Sequence, residues 1–83
     1  MRNNLLKREG NRCSYCGTTT GPFHIDHVIP IWEGGHTRPS NLVVACKPCN
    51  QTKGASLDPI WYKRLIKHGN PRTRLIASNL SPP

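Results

Sequence analysis

Phe23-His24-Ile25-Asp26-His27-Val28-Ile29-Pro30, then Gly34-Gly35, then Asn41-Leu42-Val43-Val44-Ala45-Cys46 running into Lys47-Pro48-Cys49-Asn50-Gln51-Thr52-Lys53-Gly54, is the stretch on which the fold turns. Its first five residues alternate apolar and polar, the period of a half-buried strand. Pro30 cannot donate to a sheet ladder and limits that strand. Trp32 to Ser40 contains Gly34-Gly35 and Pro39 and reads as a loop. Asn41 to Cys46 is a second strand, and the two pair as an antiparallel hairpin with a long loop. Pro48 suits the first turn of a helix, where its missing N–H does no harm. That helix runs from about Lys47 to Lys53 and stops at Gly54.

Two Cys-x-x-Cys pairs bracket this stretch, Cys13-Ser-Tyr-Cys16 and Cys46-Lys-Pro-Cys49. Each pair sets two thiolates on one side of a tight turn, and two pairs make a four-sulfur cage suited to Zn²⁺. Gly17 closes the first knuckle with a backbone conformation that other residues resist. Residues 17–45 separate the pairs, more than in short zinc ribbons, so the hairpin is held at its base by the metal. The alternative is a pair of redox-active or disulfide-forming dithiols. In a reducing compartment, metal ligation is the favoured reading.

Outward from this centre the signals thin. Residues 2–9 suit a short basic helix with Leu5 and Leu6 turned inward, and a Thr-rich Gly21-Pro22 turn follows the first knuckle. Asp58 is an N-cap with Pro59 at the first helical position. Trp61/Leu65 and Tyr62/Ile66 form an apolar stripe behind it, and Gly69 and Pro71 end that helix. Trp32, Trp61 and Tyr62 read as core or interface residues. A third helix spans 72–78, and Ser81-Pro82-Pro83 is a frayed end. Lys63, Arg64, Lys67, Arg72 and Arg74 make the richest cationic stretch and are candidate phosphate contacts.

The 83 residues allow one domain, read as 1–83 with a core at 13–54 and a basic helical extension at 55–83. Only 35% of residues are apolar and 6% aromatic, so the core is thin and needs a staple. Lys and Arg number 12 against 4 Asp and Glu, a formal charge of +8. That balance points to a polyanion, nucleic acid before an anionic membrane surface. No apolar run approaches the roughly 20 residues that span a bilayer. The N-terminus has no apolar stretch of signal-peptide length, so a cytoplasmic location is expected.

The ordered set Asp26-His27-x-x-Pro30, Gly34-Gly35, Asn41-Leu42 and Cys46-x-x-Cys49-Asn50-x-x-Lys53 resembles the HNH endonuclease family, the ββα-metal or His-Me finger nucleases, in its small zinc-stapled phage and mobile-element form. The match covers 13–54, about half the chain. It implies an α+β fold in which a helix packs across a β-hairpin, with a structural four-cysteine zinc site and flanking helices. It implies His27 as the general base that activates water and Asp26 as a ligand of a catalytic divalent cation. Asn50 falls at the last metal ligand, often His in the family, and Asn41 at the Asn that braces the loop orienting the base. His24, His36 and Lys53 are further candidates to line the site, Lys53 as a phosphate contact. The alternatives are a zinc ligand or hydrogen-bonded surface histidine for His27, a turn residue or ion-pair partner for Asp26, a cap on the cysteine knuckle for Asn50, a turn residue for Asn41, and ordinary surface side chains for His24, His36 and Lys53.

Elementary chemistry agrees with that assignment. Adjacent strand residues point to opposite faces, so Asp26 and His27 share one site only if the strand bends or ends there. A neutral imidazole, ordinarily with a pKa of about 6.5, takes a proton from water near neutral pH. One carboxylate and one amide oxygen leave coordination positions for water and phosphate, as Mg²⁺ prefers. Hard oxygen ligands favour Mg²⁺ or Mn²⁺ over Ni²⁺ or Zn²⁺ at the catalytic position. The expected activity is therefore metal-dependent hydrolysis of double-stranded DNA, nicking or cleaving with weak sequence preference, by a monomer. The family suggests a phage source and terminase or portal proteins as partners. The rival from another class is a zinc-stapled nucleic-acid-binding module without catalysis.

Overall fold

The structure, a computed structural model, describes residues 2–80. The frayed end expected at 81–83 lies outside the described residues. Among these, α1 spans Arg2–Arg8, β1 Phe23–His27, β2 Leu42–Cys46, α2 Lys47–Lys53, α3 Ile60–His68 and α4 Pro71–Leu80. Two 3₁₀ turns, Ile31–Glu33 and Pro39–Asn41, shape the loop between the strands. The architecture is the expected small α+β one, a two-stranded sheet with helices around it.

The strands pair antiparallel with Phe23 opposite Cys46, Ile25 opposite Val44 and His27 opposite Leu42. β1 spans the five alternating residues and stops at His27, because Val28 and Ile29 bond to Asn41 rather than to the ladder. β2 is buried along its whole length because helices cover both its faces. Leu42 and Val44 pack with Leu5 of α1. Val43 and Ala45 pack with Tyr15, Trp61, Tyr62 and Leu65. Burial of an apolar side chain of this size is worth roughly 1.5–3 kcal/mol.

α2 occupies the expected Lys47–Lys53 and ends at Gly54. Ahead of α3, the Asp58 carboxylate accepts the Ile60 N–H at 3.0 Å, the capping contact read from the sequence. The apolar stripe of α3 is narrower than expected. Trp61, Tyr62 and Leu65 are buried, but Ile66 is 47% exposed. Its partner at i−4, Tyr62, turns into the core while Ile66 lies past the edge of the packed face. Trp32, read as a core or interface residue, is not in the core, at 65% exposure.

A buried carboxylate ties the two ends together. Glu9 accepts from Ser14 Oγ at 2.6 Å, Thr73 Oγ1 at 2.6 Å and Asn70 Nδ2 at 3.1 Å. The Arg8 guanidinium adjoins the same carboxylate and donates to the carbonyls of Pro39 and Leu42. With four donors the buried charge is satisfied, and α1 and α4 are locked to the hairpin.

Candidate active site

The cage comes first because it fixes the hairpin. The Sγ atoms of Cys13, Cys16, Cys46 and Cys49 all lie within 4.8 Å of one another. Cys16 and Cys46 sulfurs are 3.7 Å apart. Tetrahedral ligation with Zn–S bonds of about 2.3 Å puts sulfurs about 3.8 Å apart, so the donor set fits a zinc-sized ion. Cys46 ends β2 and Cys49 lies in the first turn of α2, so the second knuckle is the strand-to-helix junction itself. Gly17 closes the first knuckle at φ 80°, as expected. Burial pushes the Cys49 and Cys16 thiols up. Cys13 is also buried, but backbone N–H groups around its sulfur bring it below the ordinary thiol value. A bound divalent cation overrides both trends and holds thiolates.

Beside the cage, a cavity of about 360 Å³ opens between the end of β1, the Ile31–Glu33 turn and α2. Asp26, His27 and Asn50 all line it, together with Pro30, Ile31 and Trp32. Because β1 ends at His27, two neighbouring side chains reach one space. The Asn50 carboxamide makes no hydrogen bond among the described residues, so its oxygen is free to ligate.

Asp26 is held from behind. Its Oδ2 accepts from Tyr15 Oη at 2.5 Å and pairs with Lys53 Nζ at 3.1 Å. Lys53 Nζ also donates to the His27 carbonyl at 2.9 Å. Burial pushes the Asp26 carboxyl up, against the Tyr15 hydrogen bond and the Lys53 charge that favour its ionised form. Burial and the adjacent Asp26 push the Tyr15 phenol well up, so it stays a neutral donor. Oδ1 is left for a cation in the cavity.

The His27 imidazole is fixed at one nitrogen. Its Nε2 lies 2.9 Å from Thr37 Oγ1. Asn41 does not reach the cavity. Its Oδ1 accepts the Ile29 N–H at 2.8 Å, and its Nδ2 donates to the carbonyls of Ile29 and His36 at 3.0 and 2.9 Å. It therefore pins both ends of the loop that presents Thr37. Gly35 is required in that loop, because a Cβ there would meet the Ile29 carbonyl oxygen at 1.8 Å.

His24, His36 and Lys53 lie outside the cavity lining. His24 is exposed on β1, and His36 reaches the site only through its backbone carbonyl on Asn41. Lys53 is 2% exposed and is spent on Asp26 and His27, neither solvated nor open to a phosphate. Its position was readable: it falls four residues after Cys49 and three after Asn50, on their side of the helix. Tyr15 and Thr37 were missed. Tyr15 hides among the intervening residues of a cysteine pair, and nothing local marks Thr37.

The cationic stretch is divided in use. Arg64 stacks 4.7 Å over Trp61, and Arg74 Nε donates to the Gly69 carbonyl. Lys63 and Lys67 are exposed. Arg72 lines a separate cleft with Arg8 and Arg38.

The Lys53 pair has a measurable consequence. Replacing Lys53 with Met keeps the stem's volume but leaves the Asp26 carboxylate buried without its counter-charge. Loss of one partner of a buried pair costs about 3 kcal/mol. Urea denaturation of Lys53→Met is expected to show that loss. A change under about 1 kcal/mol would mean that Asp26 takes up a proton and does not need the lysine.

The sequence profile of the HNH endonuclease family matches residues 13–66, which hold both cysteine pairs, the hairpin, α2 and every residue of the cavity. The chain is 35% identical over 68 residues to the CRISPR-associated endonuclease Cas9 of Actinomyces naeslundii, covering 77% of this chain and 6% of that protein. It is 34% identical over 67 residues to the Cas9 of Corynebacterium diphtheriae, with the same coverage of 77% and 6%. The chain thus spans about 6% of the length of these curated relatives. In fold it is similar to the crystal structure of the Type II-C Cas9 enzyme from Actinomyces naeslundii, with a TM-score of 0.69 at 24% identity, over 95% of this chain and 12% of that one. It is also similar in fold to the Type IV phosphorothioation-dependent restriction endonuclease ScoMcrA, with a TM-score of 0.60 at 24% identity, over 96% and 18%. Carrying the family's profile across both knuckles and the intervening hairpin, the chain belongs to the HNH endonuclease family.

Proposed function

We propose that this protein is a divalent-metal-dependent endonuclease that hydrolyses phosphodiester bonds of double-stranded DNA, nicking with weak sequence preference. One observation carries the reading: a carboxylate, an imidazole and a free carboxamide line one cavity in a chain of net charge +8. The unit is read as a single domain with its core at 13–54 and a basic extension at 55–83. Zn²⁺ belongs to the cysteine cage. Asp26 Oδ1 and Asn50 Oδ1 would hold Mg²⁺ or Mn²⁺.

His27 takes the proton of the attacking water. In this reading Nε2–H donates to Thr37 Oγ1, which leaves the Nδ1 lone pair as the base. Thr37 is a positioning residue, and Asn41 sets Thr37 by pinning the loop on either side of it. Lys53 and Tyr15 keep Asp26 ionised and aimed. The divalent cation supplies charge neutralisation at the phosphate and at the leaving oxygen. Attack in line with the 3′ oxygen leaves a 5′-phosphate and a 3′-hydroxyl.

The test is incubation of supercoiled plasmid with the zinc-loaded protein and a series of divalent ions. Conversion to the nicked form with Mg²⁺ or Mn²⁺ is expected, because the ligands are hard oxygens. Activity in which Ni²⁺ greatly outperforms both would count against Asn50 as a ligand. A protein that binds DNA but is inert with every ion is a binding module and overturns the proposal. Among the described residues no helix is long and apolar enough to cross a membrane.

A further inference from the structure

Ile31 and Trp32 are each 65% exposed, although both are large and apolar. They stand on the rim of the cavity that holds Asp26, His27 and Asn50. Their exposure is built into the turn. Pro30 carbonyl accepts from the Glu33 and Gly35 N–H groups, and Ile31 carbonyl from the Gly34 N–H. Gly34 sits at φ 88°, and Gly35 is packed too closely on the Ile29 carbonyl to admit a side chain. Trp32 Nε1 donates to the Ala55 carbonyl at 3.3 Å, which sets the plane of the indole. The tip is therefore held in one conformation by the same loop that Asn41 pins.

Resting on the nuclease reading, the geometry points to Ile31–Trp32 as the recognition tip for the nucleotide flanking the scissile phosphate, with the indole packed against its sugar and base. A phosphodiester in the cavity must bring its sugar and base past the rim, and these two side chains occupy it. A base offers a π-face of any sequence to an aromatic ring, so the contact gives affinity and geometry without reading letters. The carboxylate Glu33 follows on the same turn, which leaves the apolar pair rather than a cation to make this contact.

The test compares Trp32→Ala and Trp32→Phe with the wild type. Plasmid nicking and a small chromogenic phosphodiester serve as the two substrates. Trp32→Ala should lower kcat/KM on plasmid roughly 10- to 100-fold, the loss of one base stack. The loss on the small ester, which has no base to pack, should be much the smaller of the two. Trp32→Phe should recover most of the loss. In a His27→Ala background, adding a short duplex should quench tryptophan fluorescence, and Trp32→Ala should abolish the quench because Trp61 is buried against Tyr15. Equal loss on both substrates, or an unchanged quench and DNA affinity in Trp32→Ala, overturns the inference. If the wild type hydrolyses no phosphodiester, the nuclease reading fails separately, and the quench still shows whether the tip meets DNA.

Discussion

Stripping the metal from the four-cysteine cage is expected to unfold the protein, not merely to inactivate it. The cage joins the segment around Cys13 to the junction of β2 and α2. Ser14 N–H bonds to the Val44 carbonyl, and Tyr15 fills the space between Asp26 and Trp61. All of these contacts depend on the first knuckle staying on the second. Apparent zinc-binding free energies of small modules are about 10–16 kcal/mol. Net stabilities of whole domains are about 5–15 kcal/mol, so the metal can account for all of the margin here. Circular dichroism and near-ultraviolet spectra should collapse on adding a strong chelator and return with one equivalent of Zn²⁺. Cys46→Ser should behave as the stripped protein does at any moderate zinc concentration. The sign with pH follows from the ligands. Thiols must lose protons to bind, so the metal-bound state holds fewer protons and affinity falls as pH falls. The raised Cys16 and Cys49 thiols strengthen that competition. Metal release should therefore begin on acidification. Native spectra that survive full chelation would show that the four sulfurs do not staple the fold.

The parts of this structure that were readable in the sequence are those fixed by local chemistry. α2 ends at Gly54 because a chain-reversing residue follows Lys53, and the hairpin follows from two apolar stretches either side of a Gly- and Pro-containing loop. Asp26, His27 and Asn50 were legible because the pattern of residue types around them is ordered along the chain. What escaped is held by contacts distant in sequence. Lys53 looked like a solvated or phosphate-binding cation because one helix does not reveal a carboxylate 27 residues earlier in the chain. Tyr15 and Thr37 each place one hydroxyl on a site residue, and neither hydroxyl has a local signature. Glu9 read as one charge in a basic helix, yet it is 3% exposed and meets Thr73 near the other end of the chain. For Trp32 the sequence left core and interface open, and the turn's backbone bonding, together with the indole's bond to the Ala55 carbonyl, sets it outside the core. Local pattern thus singles out three residues that line one cavity, and long-range polar contacts decide how they are held.

His27→Ala is expected to lower kcat for plasmid nicking about 10²- to 10⁴-fold, the usual weight of a positioned general base. The fold should tolerate the change. His27 is the last residue of β1, its carbonyl is held by Lys53, and its side chain is only half-buried. None of the cysteine cage, the Asp26–Lys53 pair or the Asn41 contacts depends on the imidazole. Duplex affinity and thermal midpoint should therefore stay close to those of the wild type, and the loss should fall on kcat rather than KM. Asp26 and Asn50 remain, so the residual rate should still need Mg²⁺ or Mn²⁺. Added free imidazole should recover part of the lost rate, because the cavity of about 360 Å³ has room for a ring where the side chain was removed. That rescue separates loss of a base from loss of shape. Nicking that survives His27→Ala at the wild-type rate would mean that another group activates the water, and the role assigned to His27 would fall.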